Sequence, residues 1–281
     1  MVAFGTTLMA GPRRWGELAV TAEGAGFESV WVPEHLIMPV TMTGAPNTPH
    51  AGEPPISAST PAYDPWVQIA TMAAQTTNLR FGTNVYNIGL RHPFVTARSV
   101  TTLDAVSAGR IDFGIGASWL SQEWQAMQLP FDTRGRRVDE TIRIIQQLFT
   151  EEVVEHDGEF FRFQPVGFLP KPVQKPWPPM HIGGDSHAAM RRAAQLGDGW
   201  IPMQQSLESL PGNLDRIRQM RVEAGRSGRF EVTLGARVTS VDDARRYEDA
   251  GATRLLVTPF TNPREAADGF KRFGDEIIAR L

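Results

Sequence analysis

No cysteine occurs in the chain, which removes disulfides, thiolate metal sites and a cysteine nucleophile without fixing a compartment. A basic excess is missing too. Against 31 Asp and Glu stand 28 Lys and Arg, a formal charge of -3, so the positive field that a phosphate backbone demands is absent and no nucleic-acid partner is expected. No apolar run approaches the roughly 18 residues of a membrane span, and no basic leader followed by an apolar stretch opens the sequence. We therefore expect a soluble, cytoplasmic protein with no membrane partner. Segment 39–65 lacks Lys and Arg altogether and instead carries seven prolines.

What is present suffices for a large core. With 281 residues and 41% hydrophobic composition, the chain can bury one large α/β domain or two ordinary ones. Short apolar runs alternate with helix-length amphipathic segments, the pattern of βα units around a parallel sheet. The strand candidates are 3–9, 29–33, 79–86, 110–116, 179–184, 199–203, 231–238 and 254–259. Eight strands with room for crossover helices between nearly all of them predict a (β/α)8 TIM barrel, a single domain over 1–281, in preference to an open doubly wound sheet. Helical spacing places Leu18, Ala19, Ala22 and Ala25 on one face of 15–26, and Val138, Ile142, Ile145 and Phe149 on one face of 134–149. Both helices read as structural. "HDGEFFRF" (156–163) reads as a hairpin on its Asp157-Gly158 turn, and 168–180 as an extended, proline-stiffened connector.

The second strand ends in "WVPEH", so Glu34 and His35 sit at the face of a barrel where active sites are built. A histidine can shuttle a proton at neutral pH and a neighbouring carboxylate can hold or charge it. Adjacent strand residues alternate sides, however, and a histidine that merely ties a strand end to a loop is the plain alternative. The proline-rich insertion 36–65 follows the same strand and is expected over the active site. Gly82, Thr83 and Asn84 interrupt the third strand, marking either the approach of a ligand or an irregular backbone. Small residues in "GIGASW" (114–119) can admit a flat ring or simply pack a helix on its strand. In "HIGGDSH" (181–187), Gly183 and Gly184 lead to Asp185 or Ser186 as helix cap, a geometry that collects free N–H groups for a phosphate or serves an ordinary turn. His181 and His187 lie six apart across this turn, and with no recurrent His/Asp/Glu cluster elsewhere no catalytic metal is expected.

The stretches "EGAGFESVWVPEH" (23–35), "LRFGTNV" (79–85), "AGRIDFGIGASWLSQEW" (108–124), "RGRRVDETI" (134–142) and "GFLPKPVQKPWPPMHIGG" (167–184) together resemble the luciferase-like family of flavin and deazaflavin oxidoreductases, most closely its coenzyme F420 branch. The resemblance implies that His35, with Glu34 beside it, lies near the reactive ring edge. It implies a non-prolyl cis peptide at Asn84-Val85 against the ring, with Asn87 nearby and Gly116, Ala117 and Ser118 on the opposite flank. Gly183, Gly184, Asp185 and Ser186 would take the cofactor's phosphate. F420 is the implied cofactor, with FMN as the alternative, and a small molecule is the implied substrate. One departure stands out: Trp119 occupies a place where sugar-phosphate dehydrogenases of the family carry a glutamate, which argues against that substrate. The implied activity is hydride transfer between deazaflavin C5 and a quinone, enone or similar compound. Its rivals are an FMNH2-dependent two-component monooxygenase and a non-catalytic deazaflavin or flavin carrier. A homodimer through barrel helices is implied by the resemblance alone.

Overall fold

The first strand, β1 (Ala3–Thr7), pairs in parallel with the second, β2 (Ser29–Val32), on one side and with the last strand of the chain on the other. That double pairing closes the sheet. The computed structural model describes residues 1–8, 10–42 and 57–281. After β2 come β3 (Arg80–Thr83), β4 (Tyr86–Asn87), β5 (Ile111–Gly116) and a separate antiparallel hairpin, β6 (Val153–Asp157) with β7 (Arg162–Gly167). The barrel resumes with β8 (Met180–Gly183), β9 (Gly199–Ile201), β10 (Glu231–Gly235) and β11 (Arg254–Val257). Around the sheet the order is β3-β2-β1-β11-β10-β9-β8-β5-β4, and β3 also pairs with β5. Because β3 and β4 share one position, this is a closed eight-strand parallel barrel, the expected TIM architecture.

Helices α1 (Trp15–Gly24), α2 (Pro65–Ala73), α3 (Pro93–Val106), α4 (Ser121–Ala126) and α5 (Arg134–Thr150) cover the first half. The second half carries α6 (His187–Leu196), α7 (Ser209–Glu223), α8 (Val241–Asp249) and α9 (Ala266–Glu276). Local chemistry starts several of them. Asp64 Oδ1 accepts from Trp66 N and Val67 N ahead of Pro65 in α2, and Ser240 with Asp243 forms a reciprocal capping box on α8. The expected faces are the buried ones: Leu18, Ala19 and Ala22 in α1, and Val138, Ile142, Ile145 and Phe149 in α5, with Ala25 packed partly against the same core.

The third barrel strand departs from a continuous 79–86. It breaks at the cis peptide Asn84-Val85, as the resemblance implied. Thr83 Oγ1 donates to Gly114 O at 2.7 Å and Asn84 N to Val32 O at 2.8 Å, so both neighbours hold the chain where the ladder is interrupted. Gly82 has a packing cause: a Cβ there would lie 2.4 Å from Trp31 Cε3, because the indole fills the barrel interior beside it. The hairpin stands, but its turn is a four-residue loop beginning at Gly158, closed by Gly158 N to Phe161 O at 3.0 Å. Glu140 accounts for the shift, accepting from Phe161 N at 2.9 Å and meeting His156 Nε2 at 3.0 Å.

Candidate functional site

The residues expected to bind the cofactor or carry the chemistry lie at or just beyond the C-terminal ends of β2, β3/β4, β5 and β8, which open on one face of the barrel, whereas His181 lies toward the other end. Glu34 and His35 follow β2, but they do not work as a pair. Glu34 is buried and turns toward the third and fourth strands. Its Oε1 meets Arg91 at 2.7 Å, its Oε2 accepts Asn87 N–H at 2.8 Å, and its carbonyl accepts from Asn87 Nδ2 at 3.3 Å. Burial pushes the Glu34 carboxyl above its ordinary range, Arg91 and the Asn87 N–H pull it back, and the charge of Glu123 adds to the rise. The carboxylate beside His35 in sequence therefore anchors Asn87 and Arg91, and of the two possibilities left open, a carboxylate that holds the imidazole and a pair that does not touch, the second is found, although both residues line one cavity. Both residues lie beyond the end of β2, where Arg91 and Asn87 hold one side chain and Glu123 meets the other.

The carboxylate that does meet His35 comes from α4. Glu123 Oε2 lies 3.4 Å from His35 Nδ1, and its Oε1 accepts Leu36 N–H at 2.6 Å. Ser118 has a left-handed backbone, φ 61°, and its hydroxyl donates to Glu123 Oε2 at 3.3 Å. Trp119 faces the imidazole edge-on, ring centroids 6.1 Å apart. Sequence reasoning noticed that Trp119 replaces an acid and passed over the acid four residues later. Its signal was a glutamate in the first turn of a short helix beside Trp124, with no basic residue nearby to make it a surface ion pair. Arg91 was missed as well, although a buried Glu34 demanded a cation.

Val85 projects between two positions that have no side chain. A Cβ on Gly116 would come within 2.4 Å of Val85 Cγ2, and one on Gly183 within 2.8 Å of Val85 Cγ1. Trp31, Ile201 and Leu256 pack beneath the same valine. Asn84 Oδ1 is buried without a hydrogen-bond partner, an unmet acceptor beside the cis bond. Ala117 packs partly against the core. Across the barrel, Gly184 adopts φ 111°, and Ser186, not Asp185, caps α6 by accepting Ala189 N–H at 3.1 Å. Asp185 turns its carboxylate to Met203 N, Gln204 N and Gln205 Nε2 at 3.0–3.2 Å. Its charge is thus spent on the following loop, leaving the first-turn N–H groups of α6 as the electrostatic feature of the turn.

A cavity of about 190 Å³ adjoins His35 on the β1 side. Leu8, Pro33, Met38, Pro61, Tyr63 and Gln68 are among its walls, and no Lys or Arg is among the described lining residues. Both described ends of the 36–65 insertion reach it; residues 43–56, the middle of that insertion, lie outside the described residues. Among the described residues, the group able to hold a metal is Asp112, His181 and Glu231, at the opposite end of the barrel. There Asp112 pairs with Arg80 at 2.8 Å and Glu231 with Arg254 at 3.0 Å, so the carboxylates already have cations.

Residues 3–280 match the family model described as luciferase-like monooxygenase. The chain belongs to this family. Among luciferase-like relatives, an uncharacterised Mycobacterium tuberculosis protein is 31% identical over 275 residues, 94% of each chain. An F420-dependent glucose-6-phosphate dehydrogenase of Nakamurella multipartita is 31% identical over 198 residues, 68% of this chain and 52% of that one. An FMNH2-dependent dimethylsulfone monooxygenase of Pseudomonas putida is 29% identical over 188 residues, 66% of this chain and 49% of that one. In three dimensions the coenzyme F420 dependent tetrahydromethanopterin reductase of Methanopyrus kandleri matches with TM-score 0.79 at 17% identity, over 99% of both chains. A monooxygenase from Streptomyces bottropensis matches with TM-score 0.78 at 21% identity over 99% of both. At those identities the two structures speak for the barrel. The luciferase-like relatives thus include F420-dependent and FMNH2-dependent enzymes, and no described helix here is long and apolar enough to cross a membrane.

Proposed function

We propose that this luciferase-like protein is an F420-dependent oxidoreductase acting on a small, uncharged organic substrate such as a quinone or enone. The observation that carries the proposal is the Val85 platform: an apolar prong flanked by Gly116 and Gly183, beside the unmet buried acceptor Asn84 Oδ1. A flat heteroaromatic ring with N–H donors on its edge suits the prong, since it can lie against it, and a turn of the Asn84 side chain would bring its buried oxygen to one of those donors. The Gly183–Ser186 turn suits the phosphate of the same cofactor, because the N-terminus of α6 offers backbone N–H groups and its one acidic side chain is occupied elsewhere. When bound, F420 supplies hydride exchange at C5.

The chain's own part is position and proton handling. Gly116 and Gly183 leave room at the prong, and Glu34 with Arg91 and Asn87 fixes the strand end behind it. His35 lines the cavity, which has no Lys or Arg among its described walls, and holds the proton that accompanies the hydride. The proposed role of the 36–65 insertion is that of a substrate wall, through Met38 and Tyr63. The family resemblance and the F420-dependent relative support the deazaflavin, and the FMNH2-dependent relative supports FMN as the second reading. Titration of the protein with F420 and with FMN, followed by an anaerobic screen of reduced F420 against quinones, enones and nitroaromatics, tests the proposal. Tight F420 binding with turnover of at least one acceptor is expected. Preference for FMN would favour the monooxygenase, and tight F420 binding without any turnover would favour a carrier.

A further inference from the structure

His35 is one ring with two nitrogens, and the proposed chemistry needs a proton to come and go at one of them. The surroundings of Glu123 decide which. Its side chain is fully buried. Oε1 accepts Leu36 N–H at 2.6 Å, a bond in which the backbone can only donate. Oε2 accepts the Ser118 hydroxyl at 3.3 Å, and that hydroxyl's lone pairs already serve Leu120 N–H at 3.1 Å. As a carboxylate Glu123 can only accept, so the imidazole nitrogen that meets Oε2, Nδ1 at 3.4 Å, brings the hydrogen. The other nitrogen, Nε2, has no hydrogen-bond partner among the described residues, and the ring lines the cavity.

We infer that Glu123 is a positioning residue that sets the tautomer of His35, keeping hydrogen on Nδ1 and leaving the Nε2 lone pair as the single point of proton exchange with substrate. This rests on the reading of His35 as the proton-bearing group. In the oxidative direction the substrate X–H bond breaks and Nε2–H forms, giving an imidazolium whose Nδ1–H already points at a carboxylate; in the reductive direction the same proton returns from Nε2. The carboxylate also joins the loop after β2 to the loop after β5, so one side chain fixes the orientation of the ring and its hydrogen together. A glutamate that only tied these loops together would tolerate either tautomer, which separates the two roles by experiment.

The test is nitrogen NMR of 15N-histidine-labelled protein without cofactor, at a pH where the ring is neutral, with His35→Asn used to identify the His35 signals among the six histidines. The Nδ1–H tautomer is expected in the parent. In Glu123→Gln the amide oxygen keeps the Leu36 N–H and the amide NH2 turns toward the ring, so the hydrogen should move to Nε2, with kcat falling roughly tenfold or more and F420 affinity held within about twofold. An Nε2–H tautomer in the parent, or an unchanged tautomer in Glu123→Gln, overturns the inference. Should Glu123→Gln fail to fold, the parent spectrum still decides, and Ser118→Ala, which keeps both contacts from Glu123 to residues 35 and 36, should retain Nδ1–H; a switch there would also overturn it. Because the spectra need no cofactor, a failure of F420 to bind would sink the proposed function while leaving the tautomer result to stand or fall by itself.

Discussion

Residues 34 and 35 part company in space within a single peptide unit, and this separates what each substitution should do. Replacing His35 by Asn keeps size and hydrogen bonding while removing the nitrogen proposed to exchange the proton, so turnover should drop by about 10²–10⁴ while the F420 dissociation constant stays close to the parent's. Stopped-flow oxidation of reduced F420 and a binding titration measure the two quantities; a variant with parental turnover would reduce His35 to a loop tie. Gly184→Val attacks the other side of the barrel. With φ at 111° and the Ala189 methyl 3.3 Å from where its Cβ would sit, valine must distort the turn. Affinity for F420 should weaken at least tenfold, about 1.4 kcal/mol, with the fold retained by circular dichroism. At this scale the sequence revealed which residues stand at the mouth but not which touch. Glu34 and His35 are neighbours in the chain and line one cavity but bond to different partners, whereas His35 and the Glu123 it meets are 88 positions apart. Only a fold can bring the latter together.

Among the elements, every barrel strand was legible and nearly every one was read too long at the end facing the site. The expected 199–203 is Gly199–Ile201, and 231–238 is Glu231–Gly235. Beyond those ends Val238 is still buried although the chain has left the ladder, while Met203 is exposed, and hydropathy carries neither distinction. The third strand shows the reverse case, in which a weak pattern was informative. Gly82 is small because Trp31 is large. Gly82→Ala would place a methyl 2.4 Å from Trp31 Cε3 in a ring wedged at zero exposure, and overpacking of this kind costs about 1–3 kcal/mol. Urea unfolding should register that loss; an unchanged midpoint would mean that the indole has room to shift.

The whole molecule is bolted at the end opposite the candidate site. Arg80, Asp112, His181, Glu231 and Arg254, from five barrel strands, meet with Glu28 in an ionic floor whose centre, Asp112, His181 and Arg254, is buried. Burial alone would push the Asp112 carboxyl up, but the hydrogen bond from His181 and the charges of Arg254 and Arg80 hold it well below the usual carboxylate range. The sign follows: a depressed folded value gives stability that is present in full above the ordinary range of about 3.9 and is lost as pH falls toward the folded value. Asp112→Asn takes from Arg80 its nearest carboxylate, whereas Arg254 keeps Glu28 and Glu231, so the loss should be about 1–3 kcal/mol at pH 7, a deficit that narrows in melts taken below pH 4. Equal deficits at pH 7 and pH 3 would remove the floor from the acid response. None of this was readable in advance, since Arg254 and Glu28 lie 226 residues apart.

Between this floor and the mouth sits Trp31. Its ring meets His181 edge-on at 5.4 Å on one side, has Arg254 5.2 Å from its centroid, and packs in the same cluster as Val85 on the other. In electrical terms the indole is an insulator between two proton-active compartments, a dry disc with no titratable atom of its own and an N–H committed to Ser29 at 2.9 Å. The acid response of the fold and the pH response of the chemistry should therefore run on separate circuits: Asp112→Asn, assayed where it remains folded, should move the first and leave the pH profile of turnover where the parent has it.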